Sequence, residues 1–215
     1  LHKDIQNSLD NGFDVLFDID WQGSLQLKAS NQPNLLTIFI TPPSKEIIYE
    51  RLPSLRKEND IDFVIVNGEN AASGFGITKK ICESFYNVGV DVITTGNHVW
   101  DQKEIMNYID KENRLLRPKN LFEPAPGSGF KIFNTQNGIK IGVLNLMGNV
   151  FMKKCEDVFD ISEKFLKQYK LKEDYDLLVV DFHGEITSEK NAIGHFFDGK
   201  ATLVVGTHTH IPTND

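Results

Sequence analysis

The sequence has few cysteines, no long apolar run and no excess of positive charge. Its two cysteines, Cys82 and Cys155, match neither a CxxC motif nor a disulfide framework, which is typical of a reducing cytoplasm, and both are expected to be core residues. No apolar stretch approaches the roughly 20 residues that a membrane helix needs, and no signal peptide is visible. The net charge of −7 argues against a strong nucleic-acid surface. We therefore expect a cytoplasmic protein that would need cations to hold a small anionic ligand.

Length and pattern predict an α/β protein of one large domain or two small ones. With 215 residues, 40% of them hydrophobic, the chain can bury a substantial core. Strands are predicted at residues 15–20 and 36–40, with helices before, between and after them. From about residue 57 the order becomes strand, polar cluster and helix, and Thr78 and Asp101 are the expected N-caps of two of these helices. An Asn137-Gly138 turn predicts a β-hairpin over residues 130–146.

Four apolar runs each end in a polar cluster rich in metal-binding side chains. The runs begin at Phe63, Val90, Leu177 and Leu203 and are typical of strands buried on both faces. Ligands gather beyond the carboxyl ends of such strands in parallel α/β sheets. The candidate side chains in the four clusters are Glu69, Asn70, Asn97, His98, His183, His208 and His210. Oxygen and imidazole donors without thiolates suit manganese, iron or zinc, which indicates a metallo-hydrolase.

Simpler interpretations exist for each cluster. A Glu-Asn pair after a strand could cap a helix, and His98 could bond the backbone at a helix start. His208 and His210 could be surface imidazoles, but a spacing of two on an extended segment aims both to the same side. His195 matches no motif and is expected to be structural or exposed.

The first 52 residues resemble the middle of a guanylate kinase. Residues 14–23, DVLFDIDWQG, and residues 38–44, IFITPPS, occur at that family's order and spacing. The family's glycine-rich loop ending in Gly-Lys-Ser/Thr is absent, so ATP phosphates have neither a backbone cradle nor a lysine. A guanylate kinase remnant without activity is therefore an alternative function.

Residues from about 52 to 215 are similar to the bacterial metallophosphoesterase family of the 2′,3′-cyclic nucleotide 2′-phosphodiesterase type. The matching strings are VNGENAA at 66–72, TGNHVWD at 95–101, RPKN at 117–120, DFHGE at 181–185 and GTHTH at 206–210. The resemblance implies a calcineurin-like layered α/β sheet and a small phosphodiester or nucleotide substrate. It also implies a homo-oligomer and two divalent metal ions. Iron or manganese is the expected metal, and zinc or magnesium is the alternative.

The resemblance also implies roles for individual residues. Glu69 would bridge the two ions, and His210 would bind the first. The second ion would be completed by Asn70, Asn97, His183 and His208. His98 would be the catalytic proton donor to the leaving oxygen, since histidine titrates near neutral pH. Asp181 would either orient His183 or be an ordinary strand-end aspartate.

The chain departs from this family at its first strand. Family members open with a strand ending in Gly-Asp-x-x-Gly, whose aspartate binds the first metal, and residues 38–43 stand there instead. The simplest account is a fusion. A guanylate kinase-like fragment, residues 1–52, precedes a metallophosphoesterase-like domain, residues 53–215, that lacks its first and closing strands. Asp20 repeats the D-x-x-G spacing and is a possible substitute ligand.

Two outcomes follow from the missing aspartate. The chain would keep the second metal site, bind the first ion weakly and hydrolyse phosphodiesters slowly or not at all. The non-enzyme alternative is a non-catalytic truncated fusion fragment, because missing strands leave sheet edges unpaired. Arg117 and Asn120 could either contact substrate or brace a loop.

The missing phosphate-binding loop predicts that the chain has no kinase activity. Incubating it with GMP, ATP and magnesium should give no ADP above the level measured without GMP, because nothing positions the β and γ phosphates of ATP. A coupled ADP assay checks this. GMP-dependent ADP formation would instead favour the kinase interpretation.

Overall fold

Two β-sheets organise the part of the chain that the computed structural model describes, residues 3–12, 15, 27, 29, 35, 38–41 and 45–211. Its elements, in chain order, are α1 Lys3–Asp10, β1 Ile38–Thr41, α2 Lys45–Glu58, β2 Phe63–Asn67, α3 Lys79–Asn87, β3 Val92–Thr94, α4 Ile105–Tyr108, β4 Phe130–Asn134, β5 Lys140–Met147, α5 Val158–Gln168, β6 Leu177–Gly184, α6 Thr187–Phe197 and β7 Leu203–His208. Within these residues, every helix is too short or too polar to cross a membrane.

The first sheet has three parallel strands and the second has four strands of mixed direction. The first sheet has the order β1-β2-β3, and the second has the order β4-β5-β6-β7. In the second sheet, β4 and β5 are antiparallel, while β5, β6 and β7 are parallel. This confirms the predicted hairpin, with Gly138 in the turn at φ 81°. The four predicted strand ends therefore belong to two sheets, two strands in each.

The alternation of side chains along the strands explains how the layers stack. In β2, Phe63 and Ile65 face the second sheet, where they pack in one cluster with Ile141 and Val179. The intervening Val64 faces the other way. Residues of α2, α3 and α4 cover that outer face, and residues of α5 and α6 cover the outer face of the second sheet. The result is a helix–sheet–sheet–helix sandwich, which agrees with the expected layered α/β fold.

The last strand departs from the sequence prediction. Residues of β7 are half-buried or exposed, whereas β2 and β6 are almost fully buried. Among the described strands β7 pairs with β6 alone, at the end of the four-stranded sheet. The expectation that this apolar run is buried on both faces is therefore wrong, because an edge strand has fewer neighbours to cover it.

The segment that resembles guanylate kinase contributes to the first sheet. Its strand β1 pairs in parallel with β2, from Ile38 opposite Phe63 to Thr41 opposite Val66. Helix α2 then continues across residue 52, and its Ile48 and Leu52 are buried in the same core as β2. The expected strand at residues 15–20, with Asp20, lies outside the described residues. A fusion boundary near residue 52 stays a prediction.

Helix-end signals were predictable in one case and misleading in another. Thr78 is the N-cap of α3, where its hydroxyl accepts a hydrogen bond of 3.2 Å from the Ile81 backbone N–H. Asp101, predicted to cap the next helix, does not do so. That helix begins at Ile105, and the Asp101 carboxylate pairs with the His98 ring instead.

The two cysteines are free thiols in different surroundings. Cys82 is buried in α3 as expected, and burial raises the pKa of its thiol to about 12. Cys155 is only half-buried rather than in the core, with its pKa raised to about 11, also mainly by burial. Neither thiol is a reactive thiolate at neutral pH.

The packing between the sheets predicts where the chain is sensitive to truncation. Ile141→Ala, in the inter-sheet core at 0% exposure, should lower the free energy of unfolding by about 2–5 kcal/mol because it leaves a cavity. Ile132→Ala on β4, where the side chain is 38% exposed, is the matched control and should cost under about 1 kcal/mol. Urea unfolding measures both. Absence of a cooperative transition in the unmodified chain would favour the truncated-fragment interpretation.

Candidate metal centre

Four acceptor-bearing side chains meet where the strands of both sheets end. Glu69 follows β2, Asn97 follows β3, and His183 and His208 lie in the last residues of β6 and β7. The Nε2 atom of His183 is 2.7 Å from Glu69 Oε2, 3.0 Å from Asn97 Oδ1 and 3.1 Å from His208 Nδ1. The side chains of Glu69 and His183 are each only 1% exposed. The sequence-predicted clusters are thus brought together as one group.

The hydrogen-bond network behind His183 fixes which of its nitrogens carries the proton. Asp181 accepts hydrogen bonds from Asn67, from the Thr94 hydroxyl and, at 2.7 Å, from the Thr207 hydroxyl. Since the Thr207 proton points to Asp181, its oxygen is left to accept from His183 Nδ1–H at 3.0 Å. In this tautomer, assigned from the network, His183 Nε2 carries a lone pair directed at the cluster.

His208 is oriented in the same way by a second carboxylate. Its Nε2 lies 2.8 Å from Glu185 Oε2, so this nitrogen donates and Nδ1 carries the lone pair that faces His183. Burial lowers the pKa of His208, which favours its neutral ring. Both imidazoles therefore present unprotonated nitrogens to the cluster.

The remaining acceptor is a buried carboxylate oxygen. Glu69 Oε1 accepts the His98 backbone N–H at 2.9 Å, whereas the buried Oε2 has no hydrogen bond of acceptable geometry. Burial by itself raises the pKa of Glu69, but the pKa is lowered overall, and the His98 backbone N–H is one of the groups that stabilise the carboxylate. The carboxylate is therefore ionised.

This donor set fits a divalent cation. Lone pairs from a carboxylate, two imidazoles and an amide oxygen face one another, an arrangement that is costly unless a positive charge lies among them. The candidate ligand atoms of Glu69, His183 and His208 all lie within 4.8 Å of one another. Carboxylate-supported histidines of this kind are typical of metal sites. The group can therefore hold a metal ion.

Gly96 allows the cluster to form. A Cβ at this position would overlap the His183 ring, so only glycine fits between β3 and the imidazole. It belongs to the Gly-Asn-His string that the sequence singled out. Glycine is thus required next to the candidate ligand Asn97 because the His183 ring packs against it.

Asn70 and His210 form a separate pair beside the cluster. The Asn70 amide nitrogen is 3.0 Å from His210 Nε2, and the pair is exposed. Asn70 thus contacts His210, and its expected place among the ligands of the second ion stays a prediction. The segment that carries His210 has positive φ at His208 and at His210. Between them, the Thr209 hydroxyl accepts a hydrogen bond of 2.9 Å from Lys190 Nζ. Asp20, the possible substitute ligand here, lies outside the described residues.

His98 is held at the edge of the cluster by its backbone and its ring. Its backbone N–H binds Glu69, and its Nδ1 pairs with the Asp101 carboxylate. The hydrogen bond with His98 lowers the pKa of Asp101, and Lys153 lies 3.3 Å from the other carboxylate oxygen. With Nδ1 engaged, Nε2 is the ring atom left for proton transfer.

Several residues of this site were not singled out from the sequence. Thr207 stands between Asp181 and His183, so the aspartate acts on the imidazole through a hydroxyl rather than directly. Glu185 orients His208. Its place two residues after His183, on the same side of an extended segment, is a signal that could have pointed to it.

The remaining expectations concern residues away from the cluster. Arg117 is buried and its guanidinium bonds Glu123 and the backbone of Ala125 and Pro126. The side-chain amide of Asn120 donates to the backbone carbonyls of Met147 and Glu156, and its oxygen accepts from the Met147 backbone N–H. Both contact patterns favour loop bracing over substrate contact.

Comparison with known proteins places the chain in a family. The family described as YmdB-like protein matches residues 39–215, beginning within β1. The chain belongs to this YmdB-like family. It is 42% identical over 173 residues to the 2′,3′-cyclic-nucleotide 2′-phosphodiesterase of Bacillus subtilis (strain 168), a match that covers 80% of this chain. The chain spans 64% of the length of that relative.

A solved structure and a second family are also similar. A phosphatase structure from Mycoplasma pneumoniae matches 85% of this chain and 67% of its own, with a TM-score of 0.75 and 35% identity. The guanylate kinase of Rickettsia prowazekii is 54% identical over 52 residues, which is 24% of this chain and 26% of that enzyme. The short match agrees with the resemblance noted in the sequence, and it does not by itself establish a fusion.

The network behind His183 predicts that Thr207 controls metal affinity. Thr207→Val removes the hydroxyl that links Asp181 to the imidazole and should weaken Mn²⁺ binding by roughly 10- to 100-fold. Thr207→Ser keeps the hydroxyl and should bind nearly as the unmodified protein does. Calorimetric titration of metal-free protein measures this, with melting temperature without metal as the control for folding. Equal affinity of both variants would contradict the role of Thr207.

Proposed function

We propose that the chain is a metal-dependent phosphoesterase that hydrolyses phosphodiesters such as 2′,3′-cyclic nucleotides, with activity reduced by an incomplete first metal site. The convergence of acceptor atoms from Glu69, Asn97 and His208 on His183 Nε2 carries the proposal. The names of the family's relatives supply the substrate class. The group at the strand ends supplies the donors that a divalent cation requires.

In this proposal one ion is held by Glu69, Asn97, His183 and His208. Divalent ions, when bound, offset the charge of phosphate oxygens and acidify a coordinated water. Iron or manganese suits the mixture of carboxylate, amide and imidazole donors best. Glu185 and the Asp181–Thr207 pair keep both imidazoles in the ligating tautomer.

His98 is proposed as the proton donor to the leaving oxygen. Its Nδ1 is engaged with the Asp101 carboxylate, which leaves Nε2 as the ring atom for proton transfer. Its backbone bond to Glu69 keeps the ring beside the cluster. Proton transfer from Nε2 would therefore take place beside the cluster of Glu69, Asn97, His183 and His208, where the substrate phosphate would lie.

The first metal site is proposed to be weak. His210 and Asn70 are available there, and the carboxyl end of β1 is followed by Pro42-Pro43 where family members carry an aspartate. A site with fewer anionic ligands binds a divalent cation less tightly. We interpret β1 as the strand of a guanylate kinase-like fragment that fills the place of the family's first strand.

Metal titration tests the proposed function. Mn²⁺ added to metal-free protein should bind at one tight and one weaker site per chain, and a chromogenic phosphodiester should be cleaved slowly. Glu69→Gln should abolish tight binding and lower hydrolysis at least about 100-fold. His195→Asn, on the exposed face of α6, is the control and should change neither.

The outcomes separate the parts of this proposal. Two tight ions with rapid turnover would contradict the weakened first site. Unchanged metal binding in Glu69→Gln would contradict the assignment of the centre. Hydrolysis that persists in excess chelator would contradict metal dependence.

A further inference from the structure

An exposed aromatic side chain stands directly beside the proposed proton donor. The Phe75 ring lies edge to face against His98, with ring centroids 5.5 Å apart and the planes at 89°. Phe75 is nevertheless 59% exposed, so most of its apolar surface faces solvent. An aromatic ring left uncovered at the rim of a polar cluster is a surface that gains free energy when another flat group covers it.

The backbone holds Phe75 in a fixed turn. Gly74 and Gly76 flank it, with φ of 92° and 73°, and Ala72 N–H donates to Gly76 O at 2.9 Å. Gln102 clamps the turn from outside, since its amide donates to the Phe75 carbonyl at 2.8 Å. The glycines supply a conformation that other residues adopt only with strain. The ring is therefore presented on a turn that hydrogen bonds hold in place.

The same turn is tied to the metal centre. Its Gly74 N–H donates to the carbonyl of Asn70 at 3.0 Å, and Asn70 follows the candidate ligand Glu69. At its other end, a Cβ on Gly76 would collide with the His98 carbonyl, so the turn packs closely on the proposed proton donor. The turn that carries Phe75 thus contacts both the segment of the candidate ligand Glu69 and the proposed proton donor His98.

We propose that Phe75 is the stacking surface for the base of a nucleotide substrate, an inference that rests on the proposed function. In a 2′,3′-cyclic nucleotide the leaving oxygen is only a few bonds from the base. A substrate whose leaving oxygen meets His98 therefore carries its base to the neighbourhood of the Phe75 ring. Stacking on an aromatic ring accepts any base, because every base has a π-face. Phe75 would thus select nucleotides over other small phosphodiesters without selecting among bases.

Two substrates that differ in the base test this. The manganese-loaded chain is assayed with 2′,3′-cyclic AMP and with the 2′,3′-cyclic phosphate of methyl riboside, which has no base. Phe75→Ala should lower kcat/KM for cyclic AMP roughly ten-fold, mainly through KM, and leave the base-free substrate unchanged. Phe75→Trp should restore the preference. Phe122→Ala, which removes another exposed phenylalanine, is the matched control and should preserve both activities.

Equal losses on both substrates in Phe75→Ala would overturn the inference, because they would show that the ring only supports His98. An unmodified chain that prefers the base-free substrate would overturn it as well. If the unmodified chain hydrolyses neither substrate, the proposed function fails while the stacking surface is still measurable. Calorimetry should then show adenosine 3′-monophosphate binding more tightly than ribose 3-phosphate, with the difference lost in Phe75→Ala. Equal binding of the two ligands would overturn the inference.

Discussion

Burying an ionised carboxylate between two unprotonated imidazoles is unfavourable unless a cation compensates, and the organisation of this chain follows from that cost. Glu69 Oε2 is buried and lacks a hydrogen bond, and the atom that faces it at 2.7 Å is the lone-pair nitrogen of His183. Strand ends from both sheets are needed to assemble such a group. The sandwich is therefore the means by which residues far apart in sequence are forced into a small, partly dry space.

Asp181 ties the two sheets together underneath this group. It accepts hydrogen bonds from Asn67 of β2 and Thr94 of β3, and also from Thr207 of β7. A carboxylate with this many donors is fixed in orientation. Because the donors come from different sheets, relative displacement of the sheets would disrupt the tautomer of His183. Metal affinity and packing of the sandwich are thus linked in the same network.

The sequence predicted local features better than relations between distant ones. The Asn137-Gly138 hairpin and the Thr78 cap depend on nearby residues, and both are present. The strand ends were recognisable because apolar runs stop at polar clusters. Their division between two sheets was not, since period and composition do not say which strands pair.

Local sequence patterns also did not predict the residues that hydrogen-bond the candidate histidines. Thr207 and Glu185 act on histidines through the folded geometry, and Asp101 looked like a helix cap because a helical stretch follows it. The pairing of Asn70 with His210 joins residues 140 positions apart. Such contacts depend on the path of the loops after the strands, which neither hydrophobic period nor residue type determines.

Strand β1 illustrates that pairing in a sheet and binding of a metal ion place different requirements on the sequence. Its bonds to β2 are made by backbone groups, which are the same whatever the side chains are. The edge of a sheet therefore accepts any extended strand that can pair, whatever its side chains are. A metal site has no such freedom, because a ligand is a particular atom at a particular distance. Sheet pairing can thus survive substitutions that remove a metal ligand.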